Sequence, residues 1–481
     1  MTAEVGVGLF HFKGLGTGAL ALALAACSTS GQLATPDAGI AVPERWSDPA
    51  PSVALDPVSY WTALDDPLLD RFVALALENN RDLAQAASRV AIARAGVRAS
   101  RASYLPQISG TAGVQRNFGS FVDTDPRFSV GADAQWEIDL FGRISNDVAA
   151  SRAELAAAGY GLADLQRLIV GQVAQTTISA RTLATQLAIA RETLAIQDDN
   201  LQIAQWRLQA GLVSSLDVEQ ARAQRAQTAA SIPALERDLA QAANTISTLL
   251  GEAPGPVRAE LEEATPTIPQ PPGSVGLALP AEVLRQRPDV RQAEAFLLAD
   301  TARIDIARAQ LLPLVRLSGN VGSGSFGLSA LFDTITGSLF AGVSQLIFDG
   351  GRTRAQIDSA RAVAAGSLAA WQQTILQALT DVENANIALS KARQRVAELA
   401  IARDAASNAA LLARSQYQAG LIDFQTLLTA ESQLLSARNA LAAAEAERAN
   451  AFVALEQAAG GGWDPTRPIG QTTSIGEDTQ P

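Results

Sequence analysis

From Phe128 onward the chain alternates. Phe128, Val130, Ala132, Ala134, Trp136, Ile138 and Leu140 fall on one side, and Ser129, Gly131, Asp133, Gln135, Glu137 and Asp139 on the other, as the period-two geometry of a strand requires. Ile108, Ala112 and Val114 alternate in the same way with Gln107, Ser109, Thr111 and Gln115. Val315, Leu317 and Val321 alternate with Arg316, Ser318 and Asn320, whereas Leu339 to Phe348 is more apolar and alternates poorly. The pattern predicts four strands, at about 107–118, 128–140, 314–323 and 339–348. Strands of about ten residues suit a tilted crossing of a membrane. Taken alone, they also suit a four-stranded soluble sheet with one wet face.

A different period follows each pair of strands. Ile144 to Ala210 and Thr353 to Ala419 are each about 67 residues long and contain no Pro. At about 1.5 Å per residue, each predicts a helix some 100 Å long. Leu155, Leu162 and Ile169 keep a seven-residue step, as do Leu187, Leu194, Leu201 and Leu208, with a four-residue stutter between Leu183 and Leu187. That is the pattern of a locally adjusted coiled coil. Gly211 and Gly420 end the two runs where a φ above zero closes a helix and permits a hairpin. Pro233, inside the first return helix, predicts a local kink.

The two halves are one unit written twice. Gln209-Ala210-Gly211-Leu212 recurs as Gln418-Ala419-Gly420-Leu421, and Gly142-Arg143 as Gly351-Arg352, at an offset of about 209. Leu105-Pro106 maps onto Leu312-Pro313 and Asp82 onto Asp289 at nearly the same offset. A constant offset over this distance indicates duplication. The repeats run over 61–251 and 279–460, with a Pro- and Glu-rich connector at 252–278 and a polar tail at 461–481.

Composition narrows the function. The one His and the one Cys, His11 and Cys27, both lie near the N-terminus. A zinc site, a thiol nucleophile and a Ser–His pair therefore have no material further along, and no metal site or enzyme activity is expected. A net charge of -12 argues against binding nucleic acid through its phosphates. Asp139 and Asp349 stand at the ends of the predicted second and fourth strands beside Gly-Arg turns and serve the strand-to-helix junctions. Arg287-Pro288-Asp289 is helix-start chemistry, with Pro at the first position and Asp in the first turn.

Gly14 to Ala26 is a short apolar run that ends in Leu24-Ala25-Ala26-Cys27. It is too short to span a membrane and reads as a secretory signal, residues 1–26, closing on a bacterial lipoprotein box. Cys27 is the expected site of covalent lipid, the only cofactor-like group anticipated. Ser28 in place of Asp directs the product to the outer membrane. Residues 27–60, rich in Pro, Ser and Asp, read as an extended lipid-anchored linker.

Four membrane strands cannot close a barrel, and an open edge in lipid leaves backbone groups unpaired. The chain must associate, and three copies supply about twelve strands. The expected fold is mainly α with a membrane β-barrel, two strands and long coiled-coil helices per half. As a homotrimer it forms a 12-stranded barrel continuous with a periplasmic helical tube.

The chain resembles the TolC-like outer-membrane efflux proteins, in the NodT-like lipoprotein branch that serves resistance-nodulation-division (RND) pumps. The residues that carry this are Trp61-Thr62-Ala63-Leu64-Asp65-Asp66-Pro67-Leu68, Asn80-Arg81-Asp82-Leu83 and Glu137 to Arg143 in the first half. In the second they are Leu279-Pro280, Arg287-Pro288-Asp289-Val290, Ala293-Glu294, Phe348-Asp349-Gly350-Gly351-Arg352 and the ending Ala459-Gly460-Gly461-Gly462-Trp463. The resemblance implies an outer-membrane channel that passively conducts small molecules, whether drugs, toxic compounds or metal ions. Its partners would be a periplasmic adaptor (membrane fusion protein), an inner-membrane RND transporter and outer-membrane lipid. Two alternatives stay open: the channel of a type I protein secretion system, and a non-conducting lipid-anchored coiled-coil scaffold.

The candidate sites lie at the hairpin tips. Gly211, Leu212, Val213, Gly420, Leu421 and Ile422 offer close backbone approach and apolar contact to an adaptor. The resemblance implies a constriction just beyond the tips, where family members often carry acidic rings. Here Thr426 and Thr429 hold the matching positions, Asp217 stands where the first half aligns with Thr426, and Asp423 lies one turn away. Asp217, Asp423, Gln425, Thr426 and Thr429 are the gate candidates. Three copies of either Asp would form a carboxylate ring that favours cations.

Overall fold

The computed structural model describes residues 38–46, 56–120, 125–273, 276 and 278–464; Cys27 and the predicted signal lie outside them. After a 3₁₀ turn, Tyr60–Leu64, come helices α1 (Pro67–Asn79) and α2 (Arg81–Ala102), then strands β1 (Gln107–Gln115) and β2 (Arg127–Ile138). The long α3 (Arg143–Gln209) and its return α4 (Ser215–Leu250) follow, then short α5 (Pro256–Glu263) and α6 (Pro280–Gln286). The plan then repeats as α7 (Pro288–Ala309), β3 (Leu314–Ser325), β4 (Ile335–Ser344), α8 (Arg352–Gln418) and α9 (Phe424–Ala458). Both α3 and α8 are 67 residues long, and α4 runs unbroken past Pro233.

Two compact units emerge. The first holds Ala95–Glu154 and Phe296–Leu368 and contains one antiparallel sheet in the order β1-β2-β3-β4. Its register sorts the side chains by face. Directly paired residues share a face, so Ile108, Ala134 and Leu339 lie with Trp136, Leu317, Ala341, Val315 and Val343. Gln107, Gln135, Ser109, Asp133, Asn320 and Ser338 lie on the other side. One face is thus almost wholly apolar, with Ile108, Leu339 and Val343 exposed and Val315 and Leu317 half-buried, while the other is polar. Among the described residues no helix is long and apolar enough to cross a membrane; the apolar surface of this unit is on the sheet.

The fourth strand begins at Ile335 and ends at Ser344, four residues earlier than the expected 339–348. Its length is fixed by its partner. Leu314, the first residue of β3 after Pro313, pairs with Ser344, so Gln345 to Phe348 have nothing to pair with. The poor alternation has a second cause: Phe340 pairs with Ser318 and stands on the polar face. β1 likewise stops at Gln115, where β2 begins opposite it at Arg127.

Asp139 and Asp349 close the strand-to-helix junctions of this unit by capping. The Asp139 carboxylate accepts the Ile144 and Ser145 amides at 3.1 and 2.8 Å. Asp349 accepts the Thr353 amide at 2.8 Å and its hydroxyl at 2.6 Å. Each caps the free N–H groups that every helix start leaves.

The second unit, Gly39–Arg94, Leu155–Ala295 and from Ala369 on, holds the core. Tyr60, Leu69, Phe72, Ile178, Ile246, Leu250 and Phe452 are fully buried in one cluster. Two buried guanidinium groups tie it together. Arg181 grips Asp66 at 2.9 Å through two nitrogens and also donates to the Thr265 carbonyl at 3.1 Å. Arg287 pairs with Asp289 at 2.6 Å and Asp381 at 3.2 Å, and donates to the Ala458 carbonyl at 2.9 Å. Burial alone would raise the Asp289 pKa, but the Arg287 guanidinium holds it below the ordinary carboxylate range. Arg287-Pro288-Asp289 is therefore a structural clamp at the start of α7.

The coiled-coil seams differ from each other. In α8 the buried residues Ile375, Ala378, Val382, Ala385, Leu389, Ala392 and Val396 keep the 3-4 step of a heptad. In α3 the expected leucine line Leu187–Leu194–Leu201–Leu208 is buried only at its start: Leu187 is in the core, and Leu194 and Leu201 are half-buried. Thr193, Gln197, Asn200 and Ala204 are buried, and Leu208 is exposed. A helix seam of small and polar groups lets neighbours approach closely, and polar groups go inside when they find partners.

Candidate functional site: the hairpin tips

Both tips are built by the same backbone device. At the first, Gly211 has φ 72°, its amide donates to the Leu208 carbonyl at 2.9 Å, and the Leu212 amide donates to Arg207 at 2.8 Å. At the second, Gly420 has φ 74°, with the equivalent bonds to Tyr417 at 3.0 Å and Gln416 at 2.9 Å. This is the Schellman closure, which requires a left-handed residue and so favours Gly. Leu212 and Leu421 stand exposed at the ends, while Val213 and Ile422 are half-buried.

The acidic candidates cap the return helices. Ser214 is the N-cap of α4. Its hydroxyl accepts the Asp217 amide at 3.4 Å, and the Asp217 carboxylate accepts the Ser214 amide at 3.2 Å, completing a capping box. Asp423 is the N-cap of α9 and accepts the Thr426 amide at 2.8 Å. Hydrogen bonds from the Thr426 hydroxyl and amide hold the Asp423 pKa below its ordinary value. The Thr429 hydroxyl is spent on the Gln425 carbonyl at 2.8 Å, and both residues are exposed. Asp217 and Asp423 therefore each have a local task beyond any pore.

Behind the tips the two hairpins grip each other through a cluster centred on Tyr417, Phe424 and Leu427, which the periodic pattern did not single out. Tyr417 and Phe424 are buried with ring centroids 5.4 Å apart. The Arg207 guanidinium lies 4.4 Å from the Tyr417 ring centre and donates to the Gln418 carbonyl at 3.1 Å. Ala221, Ala413 and Leu427 complete this cluster, with Leu201, Ile203 and Ile422 packed on it. Higher up, Glu431 of α9 is buried and accepts both bonds of the Asn200 amide group at 2.8 and 2.7 Å. Arg414 donates to it at 3.1 Å. A buried carboxylate is costly unless paired and hydrogen-bonded, and here two helices, α3 and α8, supply its partners. Among the described residues no group of His, Cys, Asp or Glu is placed to hold a metal ion.

A two-faced four-stranded sheet carried by a duplicated chain with paired 67-residue helices is the build of an outer-membrane channel subunit. The family model described as outer membrane efflux protein matches residues 72–252 and 279–461. Nodulation protein T of Rhizobium leguminosarum bv. trifolii is 30% identical over 86% of this chain and 90% of its own. The pyoverdine export outer membrane protein OpmQ of Pseudomonas putida is 31% identical over 92% of this chain and 96% of its own. The probable outer membrane lipoprotein SilC of Salmonella typhimurium is 31% identical over 83% and 87%. Among solved structures, the outer-membrane channel OprN superposes with a TM-score of 0.78, at 32% identity over 90% of this chain and 100% of that one. The chain belongs to the outer membrane efflux protein family. Its place is the outer membrane and its class is that of efflux channels, which are transport proteins.

Proposed function

We propose that three copies assemble into a twelve-stranded barrel in the outer membrane and an α-helical tube in the periplasm, through which small molecules pass outward without energy supplied by this chain. The observation that carries the reading is the sheet. One face is apolar and partly exposed, the other polar, and β1 and β4 each have a free edge. In lipid those edges require partners, and further copies supply them. The tube receives its cargo from an RND transporter of the inner membrane through a periplasmic adaptor. The exposed Leu212 and Leu421, beside glycines that permit close approach, are the adaptor's contact. Cys27, freed by removal of residues 1–26, carries the lipid anchor, followed by the linker to residue 60 and the two repeats 61–251 and 279–460. Likeness to a probable outer membrane lipoprotein supports this anchor.

The purified protein in a planar bilayer, with its mass determined on the same sample, tests the reading. A trimer giving discrete conductance steps is the expected result, and a monomer that never conducts overturns it. Drug sensitivity of a strain lacking the chain then separates efflux from protein export.

A further inference from the structure

The polar face of the sheet breaks its own pattern at one place. Its rows present Ser109, Gln135, Ser318, Asn320, Thr336 and Ser338, with glycines among them. Phe340, paired with Ser318, is the one aromatic side chain on that face of the four strands, and it is 64% exposed. A single exposed apolar residue needs no account by itself. Here two further features surround it.

The first is a place for the ring. Phe340 and Gly342 lie on the same face of β4. A Cβ at Gly342 would stand 2.5 Å from Phe340 Cε1 and 3.0 Å from its Cζ. The ring therefore lies over Gly342, in space that any side chain at that position would take.

The second is a cation. Arg316 is exposed and directly opposite Gly342 in the β3–β4 register. On its other side it faces Glu137, but that carboxylate is taken by Arg143 at 2.6 Å. Among the described residues Arg316 has no ion-pair partner. Asp133, the only other carboxylate in the strands, lies four residues along β2 from Glu137. That is about 13 Å, beyond the ~8 Å over which physiological salt screens a charge. An apolar ring and an unpaired guanidinium thus stand side by side on a wet face, near the strand ends that join α7 and α8.

We propose that Phe340 and Arg316 form a passage site for aromatic organic anions. A carboxylate or sulfonate takes the guanidinium, whose paired N–H donors match it, and the aromatic body stacks on the Phe340 ring. Three copies repeat the pair at one level of the lumen. Each contact is exposed and weak, so a molecule is held briefly and released, as conduction requires. A neutral aromatic meets only the ring and a small anion only the cation, so each is held less well. The inference rests on the three-copy channel reading and adds a substrate class to it.

The test uses the purified full chain in a planar bilayer in potassium chloride, with naphthalenesulfonate as the probe. Millimolar probe is expected to interrupt the current in a concentration-dependent way, while methanesulfonate, of the same charge and without a ring, leaves it unchanged. Phe340→Ser and Arg316→Gln are each expected to raise the half-blocking concentration about fivefold. Gly342→Ala keeps both groups but displaces the ring, and is expected to act like Phe340→Ser. Arg316→Glu is expected to lose the block by naphthalenesulfonate and to gain one by benzyltrimethylammonium.

Each variant is first required to give the parent's steps in potassium chloride, and Phe340→Leu replaces Phe340→Ser if the latter does not assemble. Steps that the probe never interrupts, equal block by methanesulfonate, or block unchanged in all the variants overturns the site and leaves the channel standing. A parent protein that gives no steps overturns the channel reading and the site with it.

Discussion

The two hairpin tips share a backbone and exchange their chemistry. The same left-handed Gly closes each long helix, yet the cap that opens each return helix is inverted. The first tip uses Ser214 as N-cap and Asp217 three residues on; the second uses Asp423 as N-cap and Thr426 three residues on. Hydroxyl and carboxylate have traded places across the duplication, and the amide three residues into the turn is satisfied either way. What persists in duplicated hairpins is the hydrogen-bonding task, while the position of the charge drifts. Inward from the caps the tips part company. Tyr417 and Phe424 form a buried clasp at the second, where the first has Leu208 and Ser215, both exposed. Further along, buried Glu456 of the second hairpin corresponds to buried Ser247 of the first.

The largest expected asymmetry comes from the clasp. Tyr417→Ala should destabilise the hairpin contact by about 4 kcal/mol, the cost of emptying a buried aromatic site, while Leu208→Ala should change little. Amide hydrogen exchange over 410–430 and 201–221 reads both, and equal protection losses would erase the distinction.

Glu456 sharpens the contrast next. Burial raises its pKa from 4.5 to about 7. A raised folded-state pKa means that the native state holds the proton more tightly, so stability is greatest in acid and falls as pH rises from about 4.5 to about 7. The full fall is on the order of 3 kcal/mol. Glu456→Gln should abolish it and make the variant relatively more stable at alkaline pH, which melting curves of both proteins on either side of neutrality would check. Ser247 provides no titrating group at the matching place.

Smaller effects belong to the caps. Asp423→Ala should cost about 1 kcal/mol, and Asp423→Asn much less, because the amide oxygen still accepts the Thr426 N–H. Single-channel recording of the same pair separates capping from pore charge. Cation preference lost equally in both variants marks a carboxylate ring at the tip, whereas unchanged preference in Asp423→Asn confines the residue to capping. Smallest of all, Ser214→Asp with Asp217→Thr converts the first tip to the second tip's cap and should leave stability within about 0.5 kcal/mol of the parent by thermal unfolding.

Much of the architecture was legible in the residues. The offset between Gly211 and Gly420, the period-two run from Phe128 and the Pro-free stretches point to β2, α3 and α8 to within a residue or two. Those signals are local, written in one segment at a time. The extent of β4 was not legible, because it is set by where Pro313 lets β3 begin. Phe340 looked like part of an apolar run, yet register alone places it on the polar face. Past Leu187 the α3 seam departs from the leucine stripe for a related reason. Leucine spacing marks a candidate stripe, but Thr193, Gln197 and Asn200 are buried, and Asn200 has Glu431, 231 positions away, as its partner. Asp217 and Asp423 were visible as acids near the tips. Their capping role emerged only from the bonds to Ser214 and Thr426.

The two open edges of the sheet have a consequence for biogenesis. A lone subunit has no comfortable solvent. Water meets Leu339 and Val343, and lipid meets the unpaired backbone of β1 and β4. Insertion and oligomerisation are then one reaction, and its rate rises more steeply than linearly with the number of subunits waiting at the membrane. A cell making too few copies accumulates uninserted chains for its proteases instead of a proportionate number of channels. Anything that concentrates subunits on the membrane surface before insertion, a lipid tether above all, acts as a catalyst of pore formation.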